Sequence, residues 1–265
     1  MNQRLFDQIR TQLLRDFAPE LGENDRRFIE RVYGSGAETY ADRLRAVGLD
    51  RCERLLDAGC GFGQWSLCLA VLGAAVVGVD VSLLRVRVAN AAFAAASVAG
   101  HAVRANALQG GLDALPVESA SVDGVFCYGT LFCTAWKQSL AEFARVLRPG
   151  GRLYFSANEI GYILNMWRER PHRSSDFDPR EAAANTFRNT LEYEKHGTPP
   201  QGGQILITQG EARAQLERLG FDVLALAAEG SVNLRPGEIE PKPFFKSEYL
   251  GLPGCYEVLA EKRSA

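Results

Sequence analysis

A chain of 265 residues with 46% hydrophobic and 23% charged residues has enough apolar side chain for one α/β domain with insertions. Thirty basic against 32 acidic residues give a formal net charge of −2, without the basic excess of a nucleic-acid-binding domain. The six cysteines form no C-x-x-C pair and only three histidines are present, which argues against a metal site and suits free thiols in a reducing, cytoplasmic setting.

Residues 1–50 read as an N-terminal helical cap. Leu5, Phe6, Ile9, Leu13 and Phe17 recur at helical spacing, so the first segment is an amphipathic helix. It packs on its own domain or on a second copy in a homodimer. Its charges are spread through the segment, unlike the apolar run of a signal peptide, and no stretch of the chain reaches the length of a membrane span. The mixed signs on its polar face argue against a membrane surface.

From residue 51 onward the pattern alternates. "RLLDAG" is a strand, "GQWSLCLAVLG" a helix, "AAVVGVD" a strand and "LLRVRVANAAFAAASVAG" a helix. "HAVRAN" and "VDGVFCYG" are the third and fourth strands, "WKQSLAEFARVL" a helix stopped by "RPGG", and "RLYFSAN" the fifth strand. Such βαβα order implies parallel strands joined by right-handed crossovers, and near-continuous apolar runs imply a sheet covered on both faces. After Asn158 the rhythm breaks. An insertion of about residues 159–207, polar and with paired prolines at Pro199 and Pro200, is expected as a lid or recognition segment. "TQGEARAQLERLGF" then begins with a capping-box pattern, Thr208 with Glu211, and strands "DVLALAAE" and "CYEVLAEK" follow.

"LLDAGCGFGQWS" is the stretch that carries chemistry. Glycine lets a backbone turn with positive φ and approach a ligand closely. No Gly-Lys-Ser/Thr follows, so the lysine that grips a triphosphate is missing. The glycines are spaced G-x-G-x-G rather than G-x-G-x-x-G. Asp57 stands just before them, where a carboxylate repels a pyrophosphate and suits a ligand with a positive group.

"LLDAGCGFG" followed by "VVGVDVS", with "LPVESASVDGVFC" and "EFARVLRPGGRLYFS" further on, resembles the class I S-adenosylmethionine-dependent methyltransferases over residues 54–156. The resemblance implies a Rossmann-like α/β fold: a seven-stranded, mostly parallel sheet with a reversed last strand and helices on both faces. It implies S-adenosylmethionine as cofactor. Asp57 would orient the methionine ammonium, and Gly59, Gly61 and Gly63 would lie against the methionine and ribose. Asp80 would accept from both ribose hydroxyls, which a carboxylate can do at once, and Val81 would pack on the adenine. Asn106 and Ala107, taken as the end of the third strand, would meet the adenine amine, with Asp113 as the rival. Cys127 and Tyr128 would reach the sheet edge near the sulfonium, and Tyr33 or Tyr40 would cover the cofactor from the N-terminal segment.

The family's Asn/Asp-Pro-Pro-aromatic motif is not matched at the fourth strand, which agrees with the charge in arguing against nucleic-acid bases. A small organic acceptor, methylated on oxygen or nitrogen, is expected. Candidates for a catalytic group are Glu159, Tyr162, His172 and His196. Trp167, Phe187, Phe244 and Phe245 suggest an enclosed apolar acceptor pocket. Two rival readings are a relative that binds cofactor or a partner without catalysis, and a nicotinamide-dependent oxidoreductase, against which the glycine spacing and Asp57 count.

Overall fold

The computed structural model describes residues 3–34, 36–197 and 203–264. Pro199 and Pro200 therefore lie outside the described residues. Three helices come first: α1 (Gln3–Asp16), α2 (Glu23–Gly34) and α3 (Ala37–Ala46). The alternating region follows with β1 (Arg54–Ala58), α4 (Gln64–Val71), β2 (Ala75–Asp80), α5 (Leu83–Val98), β3 (Arg104–Gln109), β4 (Val122–Cys127), α6 (Trp136–Val146) and β5 (Leu147–Asn158). The insertion folds as α7 (Ile160–Glu169) and α8 (Pro179–His196). The chain closes with α9 (Gln209–Arg218), β6 (Phe221–Ala228), a hairpin of β7 (Glu248–Tyr249) and β8 (Leu252–Pro253), and β9 (Cys255–Lys262).

Seven strands form one sheet in the order β3-β2-β1-β4-β5-β9-β6. The first five are parallel, and β9 runs antiparallel to both β5 and β6. Alternation along each strand sends neighbours to opposite faces. Leu55 joins a core with residues of α1, α3, α4 and α5, whereas Leu56 joins one with Leu140 and Phe143 of α6 and Leu216 of α9. The sheet is covered on both sides, as its apolar runs require. The order reverses between β1 and β4, and open α/β sheets bind ligands beyond the strand ends at such a point.

Local chemistry explains the helix ends. The Ser82 hydroxyl accepts from Arg85 N and starts α5, and the Thr208–Glu211 capping box starts α9. Asp178 accepts from Arg180 N with Pro179 in the first turn of α8, and Gly197 ends that helix at φ 72°. The apolar side of α1 (Leu5, Phe6, Ile9 and Leu13) is buried against its own chain, on α2, α3 and α5. Among the described residues no helix is long and apolar enough to cross a membrane.

Two expectations change. The third strand runs Arg104–Gln109, not 101–106, pairing residue for residue with Ala75–Asp80 of β2. It is an edge strand with only Ala107 fully buried, so it lacks the apolar run that marks an interior strand. And β5 starts at Leu147, taking in the "RPGG" read as a stop.

Candidate functional site

A cavity of about 520 Å³ opens at the C-terminal ends of β1, β2, β4 and β5. Its sheet-side wall carries Gly59, Gly61, Asp80, Val81, Tyr128 and Ser156. Phe28, Arg31, Val32 and Tyr40 of the N-terminal helices close it from another side. Tyr162 and His172 come from the insertion, and Phe244 and Phe245 from the loop between β6 and β7.

The glycine turn is shaped by contact. Gly59 has φ 81°, and a Cβ there would run into the Thr130 side chain. A Cβ on Gly61 would meet no protein atom at all, so the space beside it is open cavity. The Asp80 carboxylate is bonded to the turn and to the next helix: Oδ2 accepts from Gly61 N at 3.0 Å and Oδ1 from Ser82 N at 2.9 Å. Each oxygen keeps a further lone-pair site for a ligand hydroxyl. Asp57 lies one layer behind, buried, and accepts from the Ser66 hydroxyl at 2.6 Å. Burial pushes its carboxyl up to about 7; the Ser66 bond opposes this and the Asp80 charge adds to it.

The residues picked from sequence thus separate into two groups. Tyr40, Gly59, Gly61, Asp80, Val81, Tyr128, Tyr162, His172, Phe244 and Phe245 share the cavity wall. The others do not line it. Tyr33 is fully buried and its hydroxyl donates to Phe62 O at 2.7 Å, so it supports the turn from behind. Gly63 sits at the head of α4 with φ 83°, against Ala89 and Phe93 of α5. Cys127 is buried in the core on the β4 side, and burial pushes its thiol up.

Asn106 and Ala107 are mid-strand, paired with Val77 and Gly78, because β3 continues to Gln109 beside Asp80. Ala107 exchanges both backbone bonds with the Asn90 amide, and Asp113 is exposed in the following turn. The Glu159 carboxylate accepts from Gln209 N at 3.1 Å, tying β5 to α9. His196 is on the exposed last turn of α8 beside Glu192. Trp167 and Phe187 are 49% and 39% exposed, which puts them outside the pocket expected of them.

Several wall residues carried no sequence signal or an overlooked one. Gln64 and Trp65, directly after the glycine turn, both face the cavity, and Gln64 Oε1 is buried without a hydrogen-bond partner. Such an orphaned acceptor suits a ligand that brings a donor, such as an ammonium. Glu229 directly follows β6, an acid at the same edge of the sheet as Asp80 at the end of β2. Its Oε1 accepts from Arg43 at 2.6 Å and from the Tyr128 hydroxyl at 2.9 Å. Its Oε2 accepts from Phe244 N at 2.9 Å and Phe245 N at 3.1 Å. Arg43 is fully buried and also donates to Glu257 at 3.0 Å and to Lys242 O at 2.6 Å. Burial works against its charge, and Tyr154, Glu229 and Glu257 more than restore it. The rings of Tyr40, Trp65, Tyr128 and Phe244 pack over this cluster, with centroids 4.5 to 6.0 Å apart.

Residues 56–155 match the model of a methyltransferase domain. The chain belongs to the class I S-adenosylmethionine-dependent methyltransferases. The matched residues run from β1 into β5 and so include the glycine turn and Asp80. A bifunctional biotin-biosynthesis protein of Cellvibrio japonicus is 29% identical over 231 residues, covering 82% of this chain and 43% of that protein. A malonyl-[acyl-carrier protein] O-methyltransferase of Enterobacter lignolyticus is 31% identical over 176 residues, 60% of this chain and 66% of that one. The chain thus spans less than two thirds of the length of either relative. Magnesium protoporphyrin IX methyltransferase from Synechocystis shares the fold, with a TM-score of 0.56 at 18% identity over 95% of this chain and 99% of that one.

Proposed function

We propose that the protein transfers the methyl group of S-adenosylmethionine to a small organic acceptor, on oxygen or nitrogen. One observation carries the reading: Asp80, Gly61 and the unpartnered Gln64 share a single cavity with an aromatic wall built by residues from far along the chain. Asp80 would hold the ribose hydroxyls through its remaining lone pairs, and Gln64 and Asp57 would answer the methionine ammonium. Val81 would lie under the adenine, with Tyr40 and Tyr128 along the cofactor.

When bound, the cofactor supplies a methyl group already activated by its sulfonium charge. The protein's own part is alignment and exclusion of water. Tyr128, Phe244 and Phe245, fixed through Glu229, wall off the reacting end. Residues 159–207, with Tyr162 and His172 at the cavity, would act as lid and acceptor-recognition segment over the domain of residues 51–265. Tyr162 is a poor base, since burial pushes its phenol up to about 12. Burial, with Arg31 beside it, holds the His172 imidazole below its usual range, and its Nδ1 is engaged by Arg31. All six cysteines are free, which fits a cytoplasmic enzyme.

The test is methyl transfer from methyl-labelled S-adenosylmethionine into a panel of small acids, phenols and amines. Label entering a small-molecule fraction, and lost with Asp80→Ala, is the expected result. Cofactor binding with no label in any fraction would favour a non-catalytic relative instead.

A further inference from the structure

The charged side chains on the cavity wall are few. Asp80 ends β2 and Glu229 directly follows β6, and both oxygens of each already accept hydrogen bonds. Arg85 pairs with Asp25 at 3.2 Å. Arg31 of α2 and His172 of the α7–α8 loop also line the cavity, and their side chains meet there. We propose that Arg31 and His172 hold a carboxylate at the cavity wall, and that this carboxylate belongs to the methyl acceptor. The inference rests on the reading above of a methyltransferase acting on a small organic molecule.

Three observations support it. Arg31 donates to His172 Nδ1 across 3.4 Å. A ring nitrogen that accepts from a guanidinium carries no hydrogen, so the ring's hydrogen is on Nε2. The pair therefore presents N–H donors from both partners, and a guanidinium with a second donor matches the two oxygens of a carboxylate.

Second, His172 adopts φ 59° and Arg170 φ 51°, on either side of Pro171. Neither is glycine, so each is held in a region that L-residues rarely occupy, and such outliers persist where the surroundings enforce them. Arg170 is the left-handed cap that ends α7, and α2 holds the residues just after His172. Arg27 donates to Arg173 O at 3.1 Å, Asn24 N donates to Asp176 at 3.3 Å, and the Ser175 hydroxyl donates to Glu23 at 2.5 Å. The same helix that carries Arg31 pins the loop that carries His172.

Third, neither residue lies within residues 56–155, the matched domain with the glycine turn and Asp80. The same cavity also carries Phe28, Val32, Phe132, Tyr162 and Phe245, apolar or aromatic side chains that fit an organic body behind a charged end.

The experiment uses the full chain and calorimetric titration. Benzoate, phenylacetate and octanoate, with the primary amide of each, are titrated into protein saturated with S-adenosylhomocysteine. At least one acid is expected to bind about tenfold or more tighter than its amide, and Arg31→Gln is expected to abolish that margin without weakening the amide. Acids and amides that bind alike, or acids that do not bind, overturn the proposal.

A second arm titrates S-adenosylhomocysteine and 5′-methylthioadenosine, which lacks the amino-acid carboxylate, into both proteins. If Arg31→Gln weakens the first and spares the second, the pair holds the cofactor's own carboxylate and the assignment to the acceptor falls. Failure of S-adenosylhomocysteine to bind the unmutated protein would sink the cofactor reading separately, and the acid–amide comparison is then made on the free protein.

Discussion

Asp57 carries the clearest pH consequence. Its carboxyl moves from an ordinary 3.8 to about 7 in the folded protein, so the folded state binds that proton more tightly than the unfolded chain. Its contribution to stability therefore falls as pH rises from about 4 to about 7, and flattens above. Asp57→Asn should remove this slope, read as urea midpoints across that range. A ligand ammonium nearby would favour the charged form, so cofactor binding near pH 7 should release a proton. Titration in buffers of different ionisation enthalpy measures it, and Asp57→Asn should release none. Gly59→Ala should fail to bind S-adenosylhomocysteine, because its φ of 81° and the Thr130 side chain leave no room for a Cβ. At this scale the sequence carried the turn and Asp80 directly, since spacing and strand-end position are local. It could not separate Tyr40 from Tyr33: both lie on helix faces, and only packing sends one to the cavity and the other behind the turn.

Among the elements, the joint between α3, β6, β9 and the loop at Phe244 depends on one buried cation. Arg43 faces Glu229 and Glu257, all three with side chains 0% exposed. Removing it leaves two buried carboxylates without their counter-charge. Arg43→Ala should cost about 3–5 kcal/mol in urea unfolding, whereas a surface pair such as Arg263–Asp222 should contribute less than about 1 kcal/mol. Thr208→Ala should cost about 1 kcal/mol through the lost cap of α9. The cap was legible because its partner is three residues away. The Arg43 cluster was not, because Glu229 is 186 residues from Arg43 and only the closed sheet brings them together. β3 was misplaced for a related reason: at an edge, backbone pairing with β2 defines the strand, and little apolar pattern is needed.

Across the molecule, the parallel strands and their crossovers follow from a rhythm that the sequence displays openly, whereas the reversed last strand was legible only through the resemblance to the methyltransferases. The cavity lies where that topology requires, at the reversal between β1 and β4. Its outer wall was harder to read, because α2, the α7–α8 loop and the loop at Phe244 meet there from three distant parts of the chain. The decisive measurement is calorimetric titration of S-adenosylhomocysteine into the protein and into Asp80→Ala, with circular dichroism confirming that the variant is folded. Saturable one-to-one binding by the unmutated protein, weakened about 10–100-fold in the variant, is the predicted result. No binding to the unmutated protein, or equal binding to both, would contradict a cofactor site at the end of β2.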